Sequence, residues 1–359
     1  VVSTAPATAA TVDVSAATGL VLAVRSDARR LDGSTKVFDP NPIVTSRDLS
    51  LRQPMETGLP VDADLDSDAL TAQRRTLPLL SLDDAALALG RLSGPSVNIL
   101  GGGYNATVNA GLFDVTRSDP RFEGLMAYAH LDRYQRYLQG LGFRGTAAVN
   151  AEPQDVLAGG ALGFDNSFYY GFADVIVYGD GGVDDAEDAE IVLHEYGHAM
   201  QDAQVPGFGY TTESGAMGEG FGDFNAAAYY ARTSGGFGDT CFAEWDYSSS
   251  ARGADRCLRR LDGTKRYPRD MVDEVHDDGE IWSAFLWQVR AGLPGNAAAK
   301  SDASLRLVIS SHELLGSEAS FAEAVDALRT TARALGHPEW VRIIERAATS
   351  RGLPLEPDF

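Results

Sequence analysis

Apolar residues recur at helical spacing over Glu123–Leu141, through Leu125, Met126, Tyr128, Ala129, Leu131, Tyr134, Tyr137 and Leu138, and this predicts one long buried helix. His130 lies within it and reads as structural. Before that helix the pattern is extended. Val12 to Val24 alternates around a Thr-Gly pair and predicts a hairpin strand. Residues 37–75 read as irregular loop, and 76–120 as short strands with glycine turns. Residues 161–183 are strand-like, in Leu162–Tyr170 and Asp174–Tyr178. Beyond residue 200 the period becomes helical, over 214–232, 275–292, 302–315, 318–335 and 338–350, interrupted by a Gly/Asp-rich insert at 233–270. The expected fold is α+β in two lobes: a mixed lobe at 37–200, ending in a helix near 190–202, and a helical lobe at 201–359.

Composition narrows the function. The chain has 359 residues, enough for two lobes, and 51 acidic against 30 basic residues, for a net charge of −21. That excess disfavours a nucleic-acid partner, which needs a basic face. No apolar run approaches the ~18 residues of a membrane span. A soluble protein is expected. Cys241 and Cys257 are open to either reading, one closed loop or two unrelated thiols. The start at Val1 suggests an excised part of a longer precursor. Asp62, Asp64, Asp66 and Asp68 alternate as in a calcium loop, but Ser67 and Gln73 stand where such a loop needs Gly and Glu. Asp180, Asp184, Asp185, Glu187 and Asp188 are open to calcium or to solvent.

One stretch changes this picture. His194-Glu195-Tyr-Gly-His198 is His-Glu-x-x-His, flanked by Ile191, Val192, Leu193, Ala199 and Met200. On a helix, positions four apart share a face, so both histidines can grip one zinc ion, with Glu195 beside it as general base. The third ligand does not come from the x-x-Gly-x-x-His continuation, because Gln201 and Gln204 occupy it. Glu219 supplies it, and Asp223, one turn on, can accept the other ring N–H of a ligand histidine. Glycines at 215, 218, 220 and 222 cost about 1 kcal/mol each in a helix relative to alanine, which points to close backbone packing there.

These segments resemble the gluzincin metalloproteases, and within them the fungalysin and thermolysin families. Glu213-Ser-Gly-Ala-Met-Gly-Glu219-Gly-Phe-Gly-Asp223-Phe is similar to the third-ligand segment of fungalysin. Glu274-Val-His276-Asp-Asp-Gly-Glu-Ile-Trp282 is similar to its later histidine segment, and Val37-Phe-Asp-Pro-Asn-Pro42 to the start of its mature region. Asn166-Ser-Phe-Tyr and Val177-Tyr-Gly-Asp-Gly181 resemble thermolysin. The resemblance implies a thermolysin-like fold, with residues 1–36 a remnant of the chain's own propeptide. It implies that His276 binds the oxyanion, with Tyr210 assisting, and that Asp270 or Asp273 orients His276. It implies that Arg259, or else Arg260, contacts the substrate carbonyl and steadies His276. Asn166, Ser167 and Phe168 would pair with the substrate backbone, and an apolar residue would follow the scissile bond.

The expected activity is zinc-dependent endopeptidase action on peptides or proteins, by a secreted monomer. A gluzincin aminopeptidase would need Gly-x-Met-Glu-Asn before the zinc motif, and this chain has Gly215-Ala-Met217 only after it. A catalytically silent zinc-stabilised binding protein is the other alternative. It would be expected to lack Glu195 or His276, and both are present.

Overall fold

A computed structural model of the protein describes residues 10–14, 21–26, 30–51, 65–104, 108–109, 111–159, 163–249 and 257–356. β1 (Ala10–Val14) and β2 (Val21–Ser26) pair antiparallel, which is the hairpin the alternation predicts. β3 (Arg30–Val37) continues through the expected boundary at 36/37. The stretch expected as loop carries two short helices, α1 (Pro42–Ser46) and α2 (Asp68–Thr71). Ser67, the residue that breaks the calcium-loop pattern, caps α2 through its side chain. Asp62 and Asp64 lie outside the described residues, while Asp66 accepts hydrogen bonds from Thr116 and Ser118.

Short strands follow, as expected. They are β4 (Arg75–Asp83), β5 (Leu92–Ser93), β6 (Val97–Ile99), β7 (Val108–Asn109) and β8 (Leu112–Phe113), with a helical turn, α3 (Asp84–Ala88), after β4. α4 (Phe122–Leu141) matches the predicted helix within one residue at its start. It is buried on nearly every side, so its apolar stripe is not the narrow stripe of a surface helix. His130 inside it is structural, with Nε2 2.8 Å from the Phe38 carbonyl and Nδ1 2.8 Å from the Tyr230 hydroxyl.

β9 (Gln154–Ala158) has no counterpart in the sequence reading. β10 (Phe168–Tyr170) and β11 (Val175–Tyr178) do. The strands make a four-stranded sheet, β4-β3-β8-β7, and a five-stranded one, β10-β11-β9-β6-β5. β10 is antiparallel to β11 and forms an edge of the second sheet. Five residues of β9 are too few to show a period, and its strand character comes from parallel pairing with β6 and β11.

The rest is helical: α5 (Ala189–Gln204), α6 (Thr212–Tyr230), α7 (Val275–Gly292), α8 (Ala297–Ser311), α9 (Phe321–Ala334) and α10 (Val341–Arg351). α8 starts five residues earlier than its apolar period, because Asn296 caps a first turn of three alanines and a lysine, which carries helix propensity but no periodic apolar stripe. Between α6 and α7, the short strands β12 (Cys241–Phe242) and β13 (Arg259–Arg260) pair antiparallel within the insert. The architecture is α+β, as expected. One apolar core runs from Val37 to Leu353 and includes Tyr134, Tyr196, Phe224 and Leu286. α5 crosses that core, packed on β10, β11 and α4 on one side and on α6 on the other.

Two glycines set the spacing of α6 and α7. A Cβ on Gly220 would stand 2.4 Å from the Gly279 carbonyl oxygen, and one on Gly279 would stand 2.9 Å from the Glu219 Cβ. A Cβ on Gly140, in α4, would meet no neighbouring element within 4 Å. Replacing Gly220 with alanine is therefore expected to destabilise by about 1–3 kcal/mol through overpacking, despite alanine's better helix propensity. Gly140→Ala is expected to stabilise by up to about 1 kcal/mol. Urea denaturation of both variants checks the pair, and equal stabilisation would remove the packing argument.

Candidate metal centre and cleft

The site begins at the N-terminus of α5. Asp188 caps it by accepting from the Glu190 amide at 3.0 Å. The same buried carboxylate accepts from Asn41 Nδ2 at 3.1 and 3.2 Å and from the Trp245 amide at 3.2 Å. The Asp-Pro-Asn-Pro segment is thereby tied to the motif helix. One further turn along, His194 and His198 share a face, with their Nε2 atoms 3.2 Å apart. Glu219, from α6, reaches the same point. Its Oε2 lies 3.2 Å from His194 Nε2 and its Oε1 lies 3.5 Å from His198 Nε2.

Gly222 makes that approach possible. A Cβ there would sit 2.5 Å from His194 Nδ1. With only a hydrogen in that place, the imidazole lies on the α6 backbone and its Nδ1 meets Asp223 Oδ1 at 2.9 Å. The sequence expectation of close packing is met at Gly215, Gly220 and Gly222, where a Cβ would come within 3.0 Å of a neighbour, but not at Gly218. Asp223 is held in turn by Arg259, whose Nε and Nη2 donate to its two oxygens at 2.7 Å each. Two parallel charge-assisted bonds fix both planar groups. Arg259 arrives on β13, two residues after Cys257, and Cys241 and Cys257 are joined in a disulfide.

The ligand atoms of His194, His198 and Glu219 all lie within 4.8 Å of one another. Glu219 Oε2 is shut off from solvent and faces only ring nitrogens, His194 Nε2 at 3.2 Å and His276 Nε2 at 3.4 Å. A buried acceptor left in this way is costly without a cation. Two imidazole nitrogens and one carboxylate oxygen are a donor set that suits zinc. Burial disfavours charge on His194, yet the adjacent Asp223 and Glu219 carboxylates raise it to about 10. Burial lowers His198 to about 4 and so keeps it neutral. For Glu219, burial is outweighed by both histidines, which hold the carboxyl far below the usual range. Glu195, next to His194 and 6% exposed, is pushed up to about 7 by burial, and its Oε2 has no hydrogen-bond partner.

A family model described as "Fungalysin metallopeptidase (M36)" matches residues 170–356, just over half of the chain. The chain belongs to the fungalysin metallopeptidase family. Among curated proteins, it is 27% identical over 191 residues to "Extracellular metalloproteinase 2" of Trichophyton rubrum, covering 46% of this chain and 30% of that one. It is 30% identical over 179 residues to "Extracellular metalloproteinase mep" of Aspergillus terreus, covering 40% and 27%. This chain thus spans under a third of the length of the curated relatives it matches. The solved precursor of protealysin, a metalloproteinase from Serratia proteamaculans, superposes with a TM-score of 0.54 at 16% identity. It covers 67% of this chain and 80% of that one, and it shows the fold alone.

In this fungalysin-family chain the metal cluster opens into a cleft of ≈ 710 Å³. His276 lines it from the first turn of α7, with Nε2 3.4 Å from Glu219 Oε2. Its Nδ1 pairs with Glu274 at 2.7 Å. Neither expected aspartate is that partner. Asp270 is taken by Arg269 and the Arg266 amide, and Asp273 occupies a left-handed turn, φ 61°. Glu274 combines two duties, since it also caps α7 through the amides of His276 and Asp277. The hydrogen bonds of Arg259 go to Asp223, not to His276, because the disulfide-linked strand seats it behind His194. Arg260 points away and pairs with Asp262. Tyr210 is 83% exposed at the cleft rim. Asn166, Ser167 and Phe168 line the wall, and Ser167 Oγ donates to Asp185 Oδ2 at 2.5 Å.

The acidic run before the motif does not converge on one point. Glu187 is taken by Arg117 at 2.8 Å, Asp188 caps α5, and Asp180 accepts from the Gly163 amide. Asp185 instead meets Asp165 and Asp246 on the cleft wall. Sequence reading gave no role to Asp165, Asp246 or Glu274. Asp246 carries no local signal, because it reaches the wall only through the fold of the insert.

Removing Asp223 strips His194 of its acceptor and leaves Arg259 buried without its anion. Asp223→Ala is expected to weaken metal affinity by about 10- to 100-fold, measured by competition with a chromophoric chelator. An unchanged affinity would mean that Asp223 only packs. Removing the disulfide, Cys241→Ser with Cys257→Ser, is expected to cost about 3 kcal/mol, read as a lower Tm.

Proposed function

We propose that this chain is a secreted zinc endopeptidase. The observation that carries it is the juxtaposition of His194, His198 and Glu219 with a buried, unpartnered Glu195 oxygen in one open cleft. His194, His198 and Glu219 would hold the zinc, which when bound supplies the Lewis acidity that polarises a peptide carbonyl and acidifies water. Asp223 accepts the Nδ1–H of His194, which leaves the Nε2 lone pair facing the other donors. Glu195, held dry, takes a proton from the attacking water and returns it to the leaving amine. His276, oriented by Glu274, donates Nε2–H to the developing oxyanion. Tyr210 stands at the rim as a second oxyanion donor once a peptide covers it.

The substrate would lie along β10. Edge strands present unpaired backbone groups, so an extended peptide can add as a further strand beside Asn166, Ser167 and Phe168. Arg259 acts behind Asp223 as a positioning residue. All of these groups come from a single chain, so the site needs no residue from a partner subunit, and a monomer is proposed. Secretion is supported by the disulfide and by relatives named as extracellular. A propeptide is proposed only for the segment ahead of β3, because β3 crosses the expected 36/37 boundary as a strand of the four-stranded sheet, and the mixed and helical lobes are proposed to divide at the end of α5.

An internally quenched peptide tests the reading. Wild type is expected to cleave it, a chelator to abolish cleavage, and added zinc to restore it. Glu195→Gln is expected to keep bound zinc by elemental analysis while losing about 10²–10⁴-fold in rate. A protein that binds zinc and cleaves no peptide would instead be a zinc-stabilised binding module.

A further inference from the structure

One tyrosine on the edge strand meets two carboxylates. Tyr169 is the middle residue of β10, and its hydroxyl lies 3.1 Å from Asp174 Oδ1 and 3.1 Å from Asp202 Oδ2. A phenol has one proton to donate, so it serves one carboxylate at a time. Asp174 Oδ1 already has a donor in Gln154 Nε2 at 3.3 Å, whereas Asp202 Oδ2 has no other donor among the described residues. The tyrosine proton therefore belongs with Asp202. Burial and both carboxylates hold the Tyr169 hydroxyl well above its usual range, so it stays a donor.

Asp202 has a second duty. It follows His198 by one turn, near the end of α5, and its Oδ1 accepts from the Gly207 amide at 2.7 Å. Gly207, with φ 75°, starts the turn that leads to Tyr210, and the Gly209 amide is tied to the Ser317 carbonyl at 3.3 Å. One carboxylate thus joins three parts of the cleft: the motif helix, the edge strand and the loop that carries Tyr210. Tyr169, Asp202, Gly207 and Tyr210 all line that cleft. β10 is only three residues long and pairs with β11 alone. The ladder to β11 sets its place in the sheet, but only a tether to α5 sets its distance from His194 and His198. That distance matters, because misplacing a reacting group by about 1 Å can cost about 10²-fold in rate.

Building on the endopeptidase reading, we propose that Asp202 is a positioning residue, which holds the substrate-pairing strand through Tyr169 and the Tyr210 loop through Gly207 at a set distance from the ligands on α5. It acts through these two neighbours rather than on the substrate.

Steady-state kinetics of the full chain test this, with a long internally quenched peptide that reaches β10 and a short one that does not. Tyr169→Phe loses only the hydroxyl. It is expected to raise KM for the long peptide about 3- to 10-fold with kcat little changed, and to leave the short peptide, the zinc content and Tm as in wild type. Asp202→Ala also frees the loop, and is expected to lower kcat as well, by about tenfold. Asp202→Asn keeps an acceptor for Gly207 and an N–H to face the Tyr169 oxygen, so it is expected to recover most of that loss. Wild-type KM and kcat in both Tyr169→Phe and Asp202→Ala overturn the role. So does an equal loss on both peptides with lost zinc or a lowered Tm, which marks a purely structural contact. Asp202→Asn as damaged as Asp202→Ala overturns it too, by placing the effect in charge. In each of these cases wild type still cleaves and the endopeptidase reading stands. No cleavage by wild type overturns both.

Discussion

The close contact of α5 with α6 governs this molecule. It exists because Gly222 has no side chain where the His194 imidazole must lie. With the ring flat on the neighbouring backbone, Asp223 can take its Nδ1–H and Glu219 can meet its Nε2. A helix with glycine at 215, 218, 220 and 222 gives up propensity at each position. Burial of α6 between α5 and α7 compensates, since helices in proteins are held more by packing than by propensity.

Around that contact the electrostatics are layered. Arg259 neutralises Asp223, which lets a carboxylate remain ionised where burial alone would protonate it. Asp223 then fixes the orientation of His194. His198 stays neutral by burial, and Glu195 rises toward neutrality for the same reason. The positive partner of the whole assembly arrives on a two-residue strand whose place depends on a disulfide and on pairing with Phe242. The chemistry of the motif helix thus rests on a distant, irregular insert.

The same insert sets the character of the cleft wall. Asp246 comes from it, Asp165 from the approach to the edge strand, and Asp185 from the turn before α5.

The sequence by itself determined the elements whose signal is local. His194, Glu195 and His198 follow from helical spacing, and Glu219 and Asp223 from the same rule one helix later. α4 and the helices of the second half were legible because periodic burial writes itself into many consecutive residues. The fold decided what depends on distant partners. β9 is a strand because β6 and β11 flank it, and Glu274 rather than Asp270 or Asp273 holds His276 because α7 needed a cap at that residue. Arg259 lies behind His194, and the cysteines are joined, because β12 and β13 pair across an insert with no period of its own. Spacing along a chain fixes which side chains share a face, but the approach of two faces is set by packing, and packing is settled only when the whole core closes.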